Sequence, residues 1–297
     1  MPDIRLLLLS ALGLLSALFV WQWWRSLDRR SPERLRPTPL QLLIGFVVSF
    51  LDTLGIGSLA TTTTLFKALR MVPDERLPGT MIVGLTLTVA AQAFIFIARV
   101  DIDPLLLLLM IGTALVGGWL GAGIVSRLPR RPIQVGMATA LLVAALFMTM
   151  SQLGRMPVGG TALTLDGGAL WLALAVNLVL GALIMLGIGN YGPTFVLLAA
   201  LGMDPRAAFP IMMGSGAFAA LIGSIAFVKR QRQVNQPALG LALGGIPGVV
   251  VAALLVTNLP IAALRWLVIG VVVYAALTML RDAMRTSRSG EEVGATG

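Results

Sequence analysis

Two apolar tracts in this sequence are too long for a single membrane crossing, and both are interrupted near their middle by the same four residues. The tracts are Leu40–Met71 and Ala169–Met203, and the interruption reads LGIG at Leu54–Gly57 and again at Leu186–Gly189. A helix needs about 20 mainly apolar residues to cross the hydrocarbon core, and glycine permits a sharp turn. We therefore expect each tract to enter the membrane, turn at LGIG and return to the side from which it came.

Single crossings are predicted for the other apolar segments. Of the 297 residues 57% are hydrophobic and 12% are charged, whereas soluble domains are about one quarter charged. Seven segments have the length of one transmembrane helix: Ile4–Trp24, Thr80–Ile97, Pro104–Val125, Ile133–Leu153, Phe209–Val228, Pro237–Thr257 and Ile261–Leu280. The first is interpreted as a retained helix rather than a signal peptide, because no A-x-A site follows it and Arg25, Arg29 and Arg30 do.

The two halves of the chain share residues at a fixed offset, which indicates an internal duplication. The offset of 132 residues between the LGIG motifs also relates Pro73 to Pro205, Pro78 to Pro210 and Gly84 to Gly216, and it drifts to 131 where Leu128-Pro129 matches Leu259-Pro260. Recurrence at a fixed offset is the signature of a repeat. We predict an extra N-terminal transmembrane helix with a cytoplasmic loop in 1–39, repeat unit 1 in 40–153, a linker in 154–168, repeat unit 2 in 169–281 and a flexible cytoplasmic tail in 282–297.

The positions of the cations predict the orientation of the chain. If both long tracts are re-entrant, the cation-rich segments 25–36, 67–76, 127–131 and 229–232 share one face with the C-terminal tail, and the other face receives single arginines. Cytoplasmic loops carry the excess of Lys and Arg, so the N-terminus is predicted outside and the C-terminus in the cytoplasm. The net charge of +9 is thereby assigned to topology and not to nucleic-acid binding.

The fold class follows from the hairpins, the crossings and the duplication together. Three crossings after each hairpin are an odd number, so the second repeat is inverted relative to the first. We predict an all-α integral membrane protein with an inverted repeat of one re-entrant helical hairpin plus three transmembrane helices, preceded by one extra N-terminal transmembrane helix.

Polar residues follow both glycine tips, where a new helix is expected to begin. A helix start carries unpaired backbone N–H groups and the positive end of the helix dipole, so two starts facing each other across a pseudo-two-fold axis suit an anion. Close packing of small residues is the alternative explanation. The predicted substrate-binding residues are Gly55, Gly57, Ser58, Thr61, Thr62, Gly187, Gly189, Asn190, Tyr191, Gly192 and Thr194.

Asp52 is the only acidic residue deep within a predicted apolar tract, and its equivalent in the second repeat is Ile184. Intramembrane carboxylates are costly and commonly functional. Two interpretations stand side by side. The first is coupling to a proton or cation, or pairing with an arginine; the second is a helix N-cap or a group that snorkels to the interface.

Five further polar residues in the predicted crossings also have two possible roles. Thr86, Thr88 and Gln92 lie near one face of their helix and are candidates to line a pathway, as are Asn177 and Ser215 in the second half. Interhelical hydrogen bonding is the commoner role of such residues in membranes, and it is the favoured interpretation.

The chain contains no cysteine and no histidine, which excludes several classes of function. Disulfides and thiolate metal sites need cysteine, and histidine is the commonest acid–base catalyst and metal ligand. No G-x-x-x-x-G-K-[ST] nucleotide motif occurs, and Asp52 alone cannot coordinate a divalent cation. We therefore expect no enzymatic activity, no cofactor and no metal.

The two glycine tips, each followed by a helix and a proline-containing turn, resemble the sulfite exporter TauE/SafE family, also called toluene sulfonate uptake permeases. The resemblance runs from about Leu40 to Leu280 and rests on Leu54–Thr64 with Pro73 and Pro78, and on Leu186–Thr194 with Pro205 and Pro210. It implies a secondary carrier, built from a duplicated unit, for small anions such as sulfite, sulfonates and sulfoacetate. Family tips commonly read G-x-G-G-G and then proline; Pro193 keeps the proline, whereas Thr61 replaces it in the first tip.

The predicted function is a secondary transporter of a small organic or sulfur-containing anion in the inner membrane of a bacterium, with export favoured and the substrate bound between the two tips. An anion channel that uses the same tips is the alternative. The predicted partners are the anionic substrate and the lipid bilayer, with no nucleic acid, and the oligomeric state stays open.

Overall fold

The computed structural model describes residues 2–27, 35–124, 130–153, 155, 160–184 and 191–294, and this part of the chain is helical. Its eleven α-helices are α1 (Pro2–Ser26), α2 (Pro39–Thr53), α3 (Ser58–Ala68), α4 (Leu77–Arg99), α5 (Pro104–Ile124), α6 (Arg130–Gln152), α7 (Gly167–Ile184), α8 (Tyr191–Ala200), α9 (Ala208–Lys229), α10 (Asn235–Asn258) and α11 (Ile261–Gly294). One 3-10 turn, Pro205–Ala207, precedes α9. The predicted all-α class is confirmed.

Five helices in the described residues are long and apolar enough to cross a membrane. They are Ile4–Ser26, Leu77–Arg99, Pro205–Lys229, Asn235–Asn258 and Ala262–Arg281. Two further predicted crossings coincide with α5 and α6, whose apolar stretches Pro104–Leu120 and Gln134–Met150 are shorter. The chain is therefore a multi-pass membrane protein by the length and composition of its helices, and the count of seven crossings stays a prediction.

The first long tract forms two short helices that lie side by side. At about 1.5 Å per residue, α2 is roughly 22 Å long and α3 roughly 16 Å, so neither reaches the ~30 Å of a hydrocarbon core. One buried cluster contains Ile44 from the first half of α2, Phe66 from the end of α3 and Leu77 from the start of α4. Helix α3 therefore runs back along α2 towards the end where α2 begins.

The second long tract also forms two helices, and the second of them is the shorter. Helix α7 has 18 residues and α8 has 10, and the two helices are in contact. Beyond the end of α8, Met203 pairs in a β-bridge with Ala162, which precedes α7. The end of α8 therefore returns to the end where α7 begins.

The chain divides into two compact units, and each takes helices from both predicted repeats. Unit 1 comprises Met1–Leu108 and Phe209–Asn258; unit 2 comprises Leu109–Ala208 and Leu259–Gly297. Unit 1 thus combines α1 to α4 with α9 and α10, and unit 2 combines most of α5, α6, α7 and α8 with α11. Neither compact unit therefore corresponds to one predicted sequence repeat, because each unit contains helices from both.

Unit 1 is centred on the packing of α10 against α2. Gly244 and Gly248 of α10 lie so close to α2 that a Cβ on either would clash with a backbone carbonyl, that of Leu42 or of Phe46. A Cβ on Gly245 would meet the Ser49 side chain in the same way. Small residues allow helix backbones to approach closely in membranes, which explains why α10 is rich in glycine along this face.

Unit 2 contains the same contact between α5 and α7. A Cβ on Gly117 would clash with the carbonyl of Leu178, and a Cβ on Gly181 would clash with that of Ala114. Gly117 and Gly248 are 131 positions apart, whereas Leu178 and Phe46 are 132 positions apart. These two helix pairs, one in each unit, therefore join residues that the predicted repeat makes equivalent.

The loops of unit 1 are grouped at its ends. At one end the Gln236 side chain donates to the carbonyl of Arg36 over 2.8 Å, and the backbone N–H of Val234 donates to Thr80 Oγ1 over 2.9 Å. These contacts place the start of α10 beside Arg36 and beside the start of α4. Elsewhere in unit 1 the start of α1 contacts the end of α4, where the Arg5 guanidinium donates to the carbonyl of Val100 over 3.1 Å.

Unit 2 groups its singly charged segments in the same manner. The Arg206 guanidinium donates to the carbonyl of Leu259 over 2.9 Å, and Gln152 Nε2 donates to the carbonyl of Ala262 over 3.2 Å. The connections before α9, before α11 and after α6 therefore meet at one end of this unit.

Helix α11 is longer than its apolar segment. The predicted crossing stops at Leu280 and the sequence beyond it suggests a flexible tail, yet the helix continues to Gly294. Charged residues mark the point where a chain leaves the hydrocarbon core, but arginine, alanine and glutamate are good helix formers. The 282–294 part of the predicted tail is thus helical.

Candidate functional site: the first glycine tip and a buried carboxylate

The turn between α2 and α3 is built by its two glycines. Gly55 has φ 97° and its N–H bonds the carbonyl of Asp52 over 2.8 Å, while the N–H of Ile56 bonds that of Leu51 over 3.1 Å. This pair of bonds is a Schellman motif, which requires a left-handed residue and so favours glycine. Gly57 follows at φ 82° as the N-cap of α3. The predicted turn at LGIG is thus observed in the first tract.

The start of α3 faces the side chain of Asp52. The N-cap Gly57 provides no side-chain cap, so the first backbone N–H groups of α3 have no helical partner. The Ser58 hydroxyl and the Ser58 backbone N–H both interact with the Asp52 carboxylate. The negative side chain therefore lies against the positive end of the α3 dipole.

Asp52 belongs to a buried polar network with a residue of α4. Its side chain is 3% exposed, and Gln92 Nε2 donates to Asp52 Oδ2 and to Thr53 Oγ1, each over 3.0 Å. The Thr53 hydroxyl donates in turn to the carbonyl of Ser49 over 2.7 Å. Gln92 Oε1 and Ser49 Oγ are buried and have no hydrogen-bond partner among the described residues. The contacts of Asp52 are thus with uncharged groups, as the N-cap interpretation expects and the snorkelling one does not.

The threonines after the first tip use their hydroxyl groups locally. Thr61 Oγ1 donates to the carbonyl of Gly57 over 3.4 Å, and Thr62 Oγ1 to that of Ser58 over 2.8 Å. Thr62 is fully buried and Ser58 nearly so, at 7% exposure. A threonine that bonds the carbonyl four residues earlier has no hydrogen left for a ligand. Of the predicted polar residues here, Ser58 is the one that already faces an anionic group.

The second tip lies largely outside the described residues. Gly187, Gly189 and Asn190 fall in the undescribed 185–190, and Tyr191 begins α8. Gly192 is buried, and a Cβ there would lie 3.1 Å from Ala275 Cβ of α11. Thr194 is 1% exposed, and its hydroxyl has no hydrogen-bond partner within the described chain. The start of α8 therefore holds a buried, unpaired hydroxyl.

The remaining polar candidates fall into two groups. Asn177 Nδ2 donates to the carbonyl of Met110 and to Thr113 Oγ1, so it joins α7 to α5 as interhelical bonding predicts. Thr86 and Thr88 bond carbonyls of their own helix. Ser215, by contrast, is 3% exposed and its hydroxyl is unpaired within the described residues.

Two residues near Asp52 were not predicted to share its surroundings, and of the two only Gln92 bonds it. Gln92 is 40 positions away in sequence, and only the packing of α4 on α2 brings it to the carboxylate. Ser49 precedes Asp52 by three residues, a spacing that places both on one helix face. This three-residue spacing is the feature of the sequence that could have placed Ser49 near Asp52. For metals, the described residues contain no group of three or more acidic side chains that would hold an ion.

Comparison with known proteins gives one match. The family model described as sulfite exporter TauE/SafE matches residues 2–148, just under half of the chain. No curated protein and no solved structure matches. The matched segment contains α1, the first glycine tip, Asp52 and Gln92. The predicted resemblance is confirmed for this segment.

Proposed function

We propose that this protein, whose residues 2–148 belong to the sulfite exporter TauE/SafE family, is a secondary transporter of a small organic or sulfur-containing anion. The family implies membrane transport of the sulfite or sulfonate type, and the multi-pass helices agree with that class. Within it, the proposed substrate is a sulfonate, sulfoacetate or sulfite, and the proposed direction is export.

The observation that carries the binding proposal is the start of α3. This helix begins inside an apolar tract, directly after a tight glycine turn, and its first N–H groups face a buried polar network. Non-helical backbone at membrane depth is tolerated where it is buried in protein or lines a cavity. Helix starts bind anions through their N–H groups and dipole. We therefore propose that Gly55, Gly57 and Ser58 bind the anion at the start of α3, with Thr61 and Thr62 contributing after rotation of their hydroxyls.

A second group of proposed substrate-binding residues lies at the start of α8. Gly187, Gly189 and Asn190 are included because the predicted repeat makes them equivalent to residues of the first tip. Tyr191, Gly192 and Thr194 lie in the first turn of α8, and the Thr194 hydroxyl is buried without a hydrogen-bond partner among the described residues, which leave out 185–190. A buried polar atom without a partner calls for an explanation. An anion held at this helix start is the proposed one.

The proposed inverted repeat draws support from two features of the units. The helix pairs α10–α2 and α5–α7 join equivalent positions, although each pair takes one helix from each repeat. In unit 1 the start of α10, which follows the cations of 229–232, contacts Arg36 and the start of α4, which follows the cations of 67–76, as expected for a single cytoplasmic face. We accordingly propose an inner-membrane protein with its N-terminus outside and its C-terminus in the cytoplasm.

Transport by purified protein in liposomes tests the proposal. Vesicles loaded with unlabelled sulfoacetate should accumulate labelled sulfoacetate transiently, because a carrier exchanges one molecule for another. Sulfite and ethanesulfonate should compete, and an organic cation such as choline should not. Protein-free vesicles and vesicles with an unrelated membrane protein are the controls. Failure of every anion in this panel to exchange, with folded protein in the vesicles, contradicts the proposed function.

The same vesicles decide between a carrier and a channel. A channel with the same tips would pass anions without exchange, and its flux would not saturate with substrate concentration. Discrete single-channel currents in a planar bilayer, together with absent counterflow, would establish the channel in place of the carrier.

A further inference from the structure

We propose that Asp52 is a proton-binding site that couples anion binding to pH, and that Gln92 is its positioning residue. This inference rests on the proposed function, since it specifies how anion binding at the start of α3 is regulated. Proton and anion would bind together and cross the membrane in the same direction, so export would be driven by the outward concentration gradient of the anion and not by the inward proton gradient.

The first reason is that no cation balances Asp52 among the described residues of the helices around it. The carboxylate is 3% exposed, and within the described part of the chain the helices seen packed against α2 include α3, α4 and α10. Helix α10 has no charged residue; α3 has Lys67, which lies in its last turn and pairs with Asp74 over 3.3 Å. Helix α4 has Arg99, which is exposed and lies about two turns beyond Gln92. A proton is the simplest way to neutralise a carboxylate in such surroundings.

The second reason is competition for one helix start. The Ser58 backbone N–H, the first of α3, interacts with Asp52, and the same helix start is the proposed anion site. An ionised Asp52 and a bound anion would place two negative charges against one dipole, and they repel each other. A proton on Asp52 removes one of these charges and frees the Ser58 donor. Proton binding and anion binding therefore strengthen each other.

The third reason is the geometry of Gln92. Its Nε2 donates to Asp52, and its Oε1 is buried without a partner in the described part of the chain. An amide carries donors on one side and an acceptor on the other. Gln92 therefore donates to the carboxylate when Asp52 is ionised, and a half-turn of the amide lets Oε1 accept the O–H when Asp52 is protonated. Gln92 Oε1, which has no partner among the described residues, would thus accept the hydrogen bond of protonated Asp52.

The proton balance of one transport cycle is simple. A proton from one aqueous side forms the O–H bond at an Asp52 carboxylate oxygen as the anion binds. On the other side the anion leaves, the O–H bond breaks and the proton returns to water. One proton accompanies each anion, and no oxidant, reductant or covalent intermediate is involved.

Anion binding across a pH series tests this coupling. Ethanesulfonate is a suitable probe because its charge does not change between pH 5.5 and pH 8, unlike that of sulfite. Its affinity for wild-type protein, followed by thermal stabilisation in detergent, should fall about tenfold or more as the pH rises. Asp52→Asn should bind with little pH dependence. Asp101→Asn, which changes an exposed carboxylate in the same unit, should behave as wild type.

Gln92→Met supplies a second variant that keeps the carboxylate. The Nε2 bond to the ionised carboxylate is charge-assisted and stronger than the Oε1 bond to the protonated form, so loss of both should move the pH midpoint of anion binding upward by about one to two pH units. If Gln92 only supports the helix packing, the variant lowers stability and leaves the midpoint in place. This measurement remains decisive if Asp52→Asn does not fold.

Proton movement in liposomes completes the test. A pH-sensitive dye inside the vesicles should report acidification when ethanesulfonate enters through the wild-type protein, and not through Asp52→Asn. Anion exchange by wild type with no proton movement and no pH dependence overturns the coupling and leaves the proposed function standing. An Asp52→Asn variant with the full wild-type pH dependence also overturns it. Absence of all anion binding and transport overturns both.

Discussion

Replacing Gly117 or Gly248 by alanine should force apart the helices α5 and α7 of unit 2 or the helices α10 and α2 of unit 1. The added Cβ would clash with the backbone carbonyl of Leu178 in unit 2 or of Phe46 in unit 1. Neither carbonyl can rotate away, because each belongs to a helix backbone. Ordinary contact begins at 3.4 Å, so the helices must separate by about 1 Å and lose contacts along the whole pair.

The size of the effect follows from the kind of neighbour. Overpacking in a well-packed interior costs about 1–3 kcal/mol, and a clash with backbone belongs to the upper part of that range. For a chain of this size about 1 kcal/mol lowers the melting temperature by roughly 2–4 °C. We therefore expect each variant to melt roughly 4–12 °C below wild type, and we expect the two variants to resemble each other.

Thermal unfolding in one detergent at one scan rate measures this effect, since such unfolding is commonly irreversible and depends on the rate of heating. Gly112→Ala is the matched control for Gly117→Ala, because it lies in the same helix and no atom lies within 4 Å of its added Cβ. Gly223→Ala serves unit 1 in the same way. Melting temperatures within about 1 °C of the controls would refute the close packing, and an effect at only one of the two sites would refute their equivalence.

Three further predictions concern the first tip and the α5–α7 contact. Gly55→Ala should lower stability by about 1–2 kcal/mol, because alanine resists the left-handed conformation at φ 97°, and an unchanged melting temperature would contradict the Schellman turn. Thr61→Val with Thr62→Val should leave sulfoacetate affinity within about threefold of wild type if the backbone N–H groups supply the binding; a larger loss would show that the hydroxyls rotate towards the substrate. Asn177→Leu should lower stability by about 1 kcal/mol with transport unchanged, and a selective loss of transport would instead place Asn177 on the substrate pathway.

The sequence was sufficient to predict the helical class and the turn at the first tip. Both rest on local properties: apolar length specifies the helices, and a left-handed turn within an apolar tract requires glycine. The role of the threonines was less visible, because a run of hydroxyl groups suggests ligand donors although each can bond its own helix. Whether the threonines bind substrate stays a prediction.

The partner of Asp52 could not be predicted in the same way. The pairing with Gln92 spans 40 residues and depends on the register of α4 against α2. That register is set by close contacts such as that of Thr88 with Gly245, which bring α4, α2 and α10 together. Hydrophobic length and motif spacing describe one segment at a time, so they do not contain this information.

The division into compact units leads to a last prediction, on the halves of the chain. A family match over residues 2–148 invites the interpretation that the N-terminal half is an independent domain. Unit 1, however, is completed by α9 and α10, and the face of α2 that contains Leu42 and Phe46 is covered by the glycines of α10. A fragment of residues 1–153 would leave that face without its partner helix.

Expression of residues 1–153 and 154–297 as separate chains tests this dependence. We expect neither fragment alone to give a monodisperse, thermally stable protein in detergent, and we expect the two together to assemble and regain ethanesulfonate binding. Recovery should fail when the 154–297 fragment carries Gly244→Ala with Gly248→Ala, whereas Gly223→Ala in the same fragment should permit it. A stable fragment 1–153 would mean that repeat unit 1 is self-sufficient and that α10 only covers it. Loss of recovery in the glycine variant would instead show that unit 1 is completed by a helix of the other half of the sequence.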